Sequence, residues 1–440
     1  MYFSPYADHS LRIHTTTRLL YGALVIGLAA GSPIVASNAF AASHETSVDA
    51  PLASPVASET EGQFATPEDL LDYMQEGIGS ATLFMAQEGS GEPALYLYSS
   101  ARRDGDRFVF EGITINSAVS PTSGSAESLT FDNPRKGPEG SLLIDSGEVR
   151  GAIVNLSGPN GPDRVSFDLL GMDDARLYPS PATSSMVTRN ASDLGGARLE
   201  RLDFALAGTT FTLGSLDYAL DVVGNGTPGS VTVSLDDLAI TNAQGLGPII
   251  AQLPGGAIGL DVTFSGGWDP DAGNMFVEAL DLDVTDIASI GMSLELSGVT
   301  EEVWAESQAQ SPGAQQTPDD VFLERTRIVL TRGPSFDATL EALAPVVGLD
   351  VEAMKTAATG AIGYYAGYLG GTDELQRPEQ IWEAAKAFAS GEVERVELTA
   401  EPSDPPSILA LEEAFDPTKG PSDRDVPGGF DLLGLSISTQ

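Results

Sequence analysis

The run Leu142-Leu143-Ile144-Asp145-Ser146-Gly147 has the apolar-Asp-Ser-Gly form that can present a carboxylate for aspartyl hydrolysis, with the apolar-apolar-Gly element Leu169-Leu170-Gly171 downstream. That chemistry needs two carboxylates sharing one proton. No second Asp-Ser-Gly or Asp-Thr-Gly occurs, so two copies would have to come together, and the tripeptide is read as a turn. Asp269, Asp271, Asn274 and Glu278 place oxygen ligands close together, as a hard cation requires. Their spacing does not match a helix-loop-helix calcium loop and their flanks are strand-like, so this segment is also read as a turn.

Other chemistries lack material. The chain has no Cys and three His, of which His9 and His14 fall in the expected leader and His44 in a polar tail. Thiol nucleophiles, Ser-His-Asp triads and His-based or thiolate metal centres are thereby excluded. None of the four lysines, Lys136, Lys355, Lys386 and Lys419, has a Ser three positions before it, and no Gly-x-Ser-x-Gly elbow occurs. With 63 acidic residues, carboxylate pairs of the kind a glycosidase needs are everywhere and carry no information. A formal net charge of -41 excludes a nucleic-acid phosphate binder. No cofactor, metal site or catalytic residue is expected.

The elements that would position a site begin after a leader. Arg12 and Arg18 precede the apolar run Leu19 to Ala30, and Ala39-Phe40-Ala41 closes a small-residue stretch. This pattern predicts a signal peptide over 1–41, cleaved after Ala41, and a periplasmic or secreted product; the alternative is a retained anchor. Residues 42–65 read as a disordered tail. Thr66 is the expected N-cap of a helix to about Glu76, with Pro67 at its first position.

From Leu83 the period is two. Tyr96 to Tyr98 and Arg107 to Ile115 flank the turn dipeptide Asp104-Gly105, a hairpin signal. The Ser/Pro/Gly-rich stretch 120–140 is read as a loop, followed by strands at 142–144, 152–156 and 165–170. Six longer strands follow at 202–206, 211–223, 230–241, 258–268, 275–284 and 292–299, separated by turn residues such as Pro254-Gly255-Gly256. Long consecutive strands with short connections predict an antiparallel meander. Along it Val231, Val233, Leu235, Leu280, Leu282 and Val284 share one side, while Thr232, Ser234, Asp236, Asp281, Asp283 and Thr285 share the other. One face is expected to be apolar and the other acidic and wet.

Residues 300–320 read as a flexible loop and 321–440 as a strand-helix-helix-strand region completing the β-rich domain that starts at 66. Strands are expected at 325–331, 393–401 and 433–438, with helices at 337–347, 351–369 and 378–390 and a short helical piece at 408–414. The fold class expected is mainly β with minor α: a long curled antiparallel sheet or half-barrel packed against a few C-terminal helices. Something must cover the apolar face. Helices, the other half of a closed barrel, or a lipid-like ligand could do so. Gly363 and Gly367 put a small-residue face on the 351–369 helix, which suits close packing on a sheet. The same helix could dock on lipid, and Ile362, Tyr365, Tyr368 and Leu369 are the candidate ligand-binding residues.

The segments Leu260-Asp261-Val262-Thr263-Phe264 to Trp268-Asp269-Pro270, Leu280 to Val284, Arg325 to Leu330, Leu398 to Pro402 and Leu432 to Ile437 make the region from about 200 to the end similar to uncharacterised alphaproteobacterial envelope proteins. The departure is an insert around Asp423 to Pro427. That resemblance implies an exported β-rich protein and assigns no catalytic residue. At the level of fold the repeated one-sided strands also resemble the grooved β-proteins that carry lipids through the bacterial envelope. The expected function is therefore non-enzymatic binding of a lipid or an envelope protein partner in a sheet concavity, with peripheral membrane contact. The alternatives are a structural protein without ligand and, last, a carboxylate-dependent hydrolase.

Overall fold

Thr66 caps the first helix as the spacing predicts. In α1 (Pro67–Tyr73) the Thr66 hydroxyl accepts from the Asp69 N–H at 3.2 Å and the Asp69 carboxylate accepts from the Thr66 N–H at 3.0 Å, so both ends of a capping box are closed. The structure is a computed structural model and describes residues 62–74, 85–88, 96–115, 123–158, 161–177, 194–206, 209–223, 227–242, 247–303, 320–356, 359, 376–415 and 432–440. The expected leader lies outside the described residues. The fold is mainly β and antiparallel, with a few helices, and its sheet is not closed. The described residues divide into two compact units: one takes those up to Leu143, Glu148–Ser157 and Leu177, the other Ile144–Gly147, Gly158–Arg176 and those from 194 onward.

The first unit holds β1 (Met85–Gln87), β2 (Tyr96–Tyr98), β3 (Ser100–Asp104), β4 (Arg107–Ile115), β5 (Ser123–Asp132), β6 (Arg135–Lys136) and most of β7 (Leu142–Gly158). β1 and β2 are parallel. Both β2 and β3 pair with β4, the hairpin Asp104-Gly105 joining the second pair. Gly112 makes the double pairing possible: its φ is +61, and a Cβ there would run into the Ser99 hydroxyl at the junction of β2 and β3. Phe108 and Phe110 stand opposite Phe131 and Leu129 of β5 and are buried, with Leu70 and Met74 of the first helical segment also in the core.

Three expectations are corrected in this region. The stretch 120–140 is not a loop: 123–132 is strand, because Leu129 and Phe131 alternate onto the core beside β4 despite the Ser/Gly composition around them. The tail 42–65 is ordered where it is described: Gln63 bridges to Arg135, and Phe64 is buried beside the Tyr73 ring at 5.3 Å. Asp145-Ser146-Gly147 is not a turn either. It runs extended inside β7, and the Gly147 carbonyl lies beside Gly171. The short strands expected at 142–144 and 152–156 are thus one 17-residue strand.

The second unit is a meander of β8 (Gly161–Leu177), β9 (Leu194–Leu206), β10 (Thr209–Val223), β11 (Thr227–Asn242), β12 (Ile258–Asp269), β13 (Asn274–Val284), β14 (Ala288–Ser297), β15 (Phe322–Arg332), β16 (Arg395–Ala400) and β17 (Leu435–Thr439). From β8 onward each strand pairs antiparallel with the next. Asp269 closes the β12–β13 turn by accepting from the Ala272 N–H at 3.1 Å, which settles that segment as a turn. The loop expected at 300–320 begins with helical residues 301–303. α2 (Gly247–Ile250) was not expected; α3 (Phe336–Val347), α4 (Gln376–Ser390) and α5 (Ile408–Phe415) were. α4 packs on β16 and β17, with Ala384 and Phe388 against Val396, Leu330 and Ile437. Of the helix expected at 351–369, residues 351–356 are helical and 360–369 lie outside the described residues.

Candidate functional site: one apolar face of the second unit

Opposed residues of an antiparallel pair share a face, so the register can be followed from strand to strand. Leu170 stands opposite Leu199, then come Leu216, Leu235 and Val262. The same row goes on through Leu282, Ile290, Leu330 and Val396. Two residues away along the strands runs a second row, Met172, Ala197, Tyr218, Val233 and Phe264, continued by Leu280, Met292, Ile328, Leu398 and Ile437. Every position in both rows is apolar or tyrosine. At about 4.8 Å per strand, the second row extends roughly 43 Å over nine steps.

The row between them points to the other side. It passes through Arg198, Asp217, Ser234, Thr263 and Asp281, then Gly291, Val329 and Glu397, so the reverse face is mainly polar. The sheet keeps its sides sorted by bulges. In β11 the register shifts between Leu235 and Leu238, with Asp237 at φ 56 and its N–H donated to the Asp261 carboxylate at 2.6 Å. Without that extra residue Leu238 and Ile240 would turn to water.

Coverage of the apolar face is uneven. Ala197, Leu199, Leu216 and Val233 in β9–β11 are buried, whereas Ile290 and Met292 in β14 are 38% and 39% exposed. Their neighbours Leu280, Leu282, Ile328 and Leu330 are only half-buried. At one end of these strands Trp268 closes the core, donating from Nε1 to the Val299 carbonyl at 2.5 Å. The open stretch is therefore the middle of β12–β15.

On the polar face, Glu397 accepts from Arg327 Nε at 2.8 Å and from Arg395 Nη2 at 2.9 Å. The Arg327 hydrogen bond, joined by that of Arg395, holds the Glu397 carboxyl below the ordinary carboxylate range. A carboxyl lowered in the folded state stabilises above its unfolded pKa, and that contribution is lost as the pH falls through the folded value. The Tm difference between the wild-type chain and Glu397→Gln is accordingly expected to be largest near neutrality and to narrow below about pH 4, measured by melts across pH.

Ile362, Tyr365, Tyr368 and Leu369, the ligand-binding residues expected from sequence, lie outside the described residues. Asp145 sits exposed on an extended strand. Among the described residues no group of three or more His, Cys, Asp or Glu is arranged to hold a metal, and no helix is long and apolar enough to cross a membrane. The two apolar rows were missed as rows, since their alignment depends on register and bulges. A family model described only as an uncharacterized protein matches residues 281–439, from within β13 to the end of β17. No curated protein matches the chain.

Proposed function

We propose that this chain is an exported, non-enzymatic envelope protein that holds the acyl chain of a lipid on the apolar face of its second unit. The observation that carries the reading is the open stretch at Ile290 and Met292 within two continuous apolar rows. Contiguous exposed apolar surface on a chain of net charge -41 marks a place where something apolar binds. An acyl chain fits because from β12 to β15 the rows run roughly 7 Å apart and offer no hydrogen-bonding side chain to a polar ligand. Over the open stretch from β12 to β15 they extend about 14 Å, which seats part of a long acyl chain, and beyond it Val396 of β16 is already covered by Phe388 of α4. The run Leu19 to Ala30 supports export of the product.

A second reading has its own support. Burial of Ala197, Leu199, Leu216 and Val233 favours a face filled by its own side chains over β9–β11, so the ligand is assigned to β12–β15. Native mass spectrometry of the full chain, extracted gently from its source cells, is expected to show bound acyl lipid. A bare chain under those conditions would favour the purely structural protein.

A further inference from the structure

Arg332 ends β15 in the apolar phase of that strand. It stands opposite Ala288, one step beyond the Ile290–Leu330 pair and on the same face. Its side chain is only 9% exposed. Nε and Nη2 are buried and make no hydrogen bond; Nη2 is 2.6 Å from Asp337 Oδ1, a charge contact without hydrogen-bond alignment. The guanidinium lies 4.6 Å from the centre of the Phe336 ring. Gly391 backs it so closely that a Cβ there would overlap Nη1. Lys355 Nζ lies 3.6 Å from the same Asp337 oxygen. Two cations thus share one carboxylate at the border of the open apolar stretch, in a chain where acids greatly outnumber bases. A buried guanidinium is costly unless its fork is paired, and the fork matches carboxylates and phosphates.

We propose that Arg332, with Lys355 beside it, holds the anionic headgroup, carboxylate or phosphate, of an amphiphile whose acyl chain lies along the Ile290 and Met292 rows. This rests on the lipid-holding function above. Asp337, 55% exposed at the start of α3, stands where the headgroup goes and turns out to solvent when it arrives. The amphiphile is thereby anchored at the end of β15 with its tail directed across β14 toward β12.

The test measures binding of palmitate, hexadecanol and inorganic phosphate to the full chain and to three variants, each checked by thermal melt. Arg332→Met is expected to weaken palmitate about tenfold, the worth of one charge-assisted hydrogen bond, with partial recovery in Arg332→Lys. Asp337→Asn, at a side chain exposed enough to leave folding intact, is expected to tighten palmitate. Hexadecanol affinity should stay level in all three, and inorganic phosphate should not bind alone. Equal changes for palmitate and hexadecanol, or no tightening in Asp337→Asn, would overturn the headgroup assignment and leave the acyl-binding function standing. Binding of inorganic phosphate as tightly as palmitate would also overturn it, in favour of a small-oxyanion site. Failure of both amphiphiles to bind the wild-type chain would overturn the function and this inference together.

Discussion

Ile290→Asp combined with Met292→Asp is expected to weaken binding of a long-chain fatty acid by about a hundredfold or more, because two carboxylates would face a hydrocarbon tail with no partner. The cost to folding should be small by comparison, about 1–2 kcal/mol per site, since both side chains are already more than a third exposed. The reverse face supplies the control. Phe276 is 40% exposed, stands opposite Glu295 and lies over Gly267 on the polar side. Phe276→Asp therefore removes an equally exposed apolar group of the same sheet without touching the rows. Its fatty-acid affinity should match that of the wild-type chain. Equal loss in both variants would show general unfolding rather than a binding face.

The largest effect on stability is expected in the first unit, at Phe110. The side chain is fully buried, edge-on to Tyr98 at 5.4 Å and to Phe131 at 6.4 Å, so truncation leaves a cavity between two rings. Phe110→Ala should cost about 3–5 kcal/mol, and Phe110→Leu less. With two compact units in the chain, unfolding need not be two-state. The denaturant transition of the first unit should move to lower concentration while that of the second keeps its midpoint, which tryptophan fluorescence can follow separately because none of the chain's three tryptophans falls in the first unit.

Much of the second unit was legible in the sequence, for a physical reason. Its strands are ten or more residues long, alternate over the stretches between bulges and are separated by turn residues, so β10 to β13 begin and end within three residues of the expected bounds. The two-sided character of Val231 to Asp236 and Leu280 to Thr285 was legible on the same grounds. β5 and β7 were not. Ser, Gly and Asp-Ser-Gly carry turn propensity, and only pairing with neighbouring strands overrides it. The rows were invisible because a bulge such as that at Asp237 shifts every later residue of its strand by one, and a single sequence does not announce bulges. Arg332 did leave a trace. It stands in phase with Ile328 and Leu330 in an alternating strand, a cation on the oily side, a breach of pattern of the kind that functional or strained positions show.

The account stands on an acyl chain lying against β12–β15, and photo-cross-linking with a diazirine analogue of palmitate reads this position directly. Digestion and mass spectrometry of the labelled full chain should place the adducts on apolar-face residues of these strands, with Ile290, Met292 and Ile328 foremost. Adducts on polar-face residues such as Phe276, or labelling that excess unlabelled palmitate fails to suppress, would contradict it.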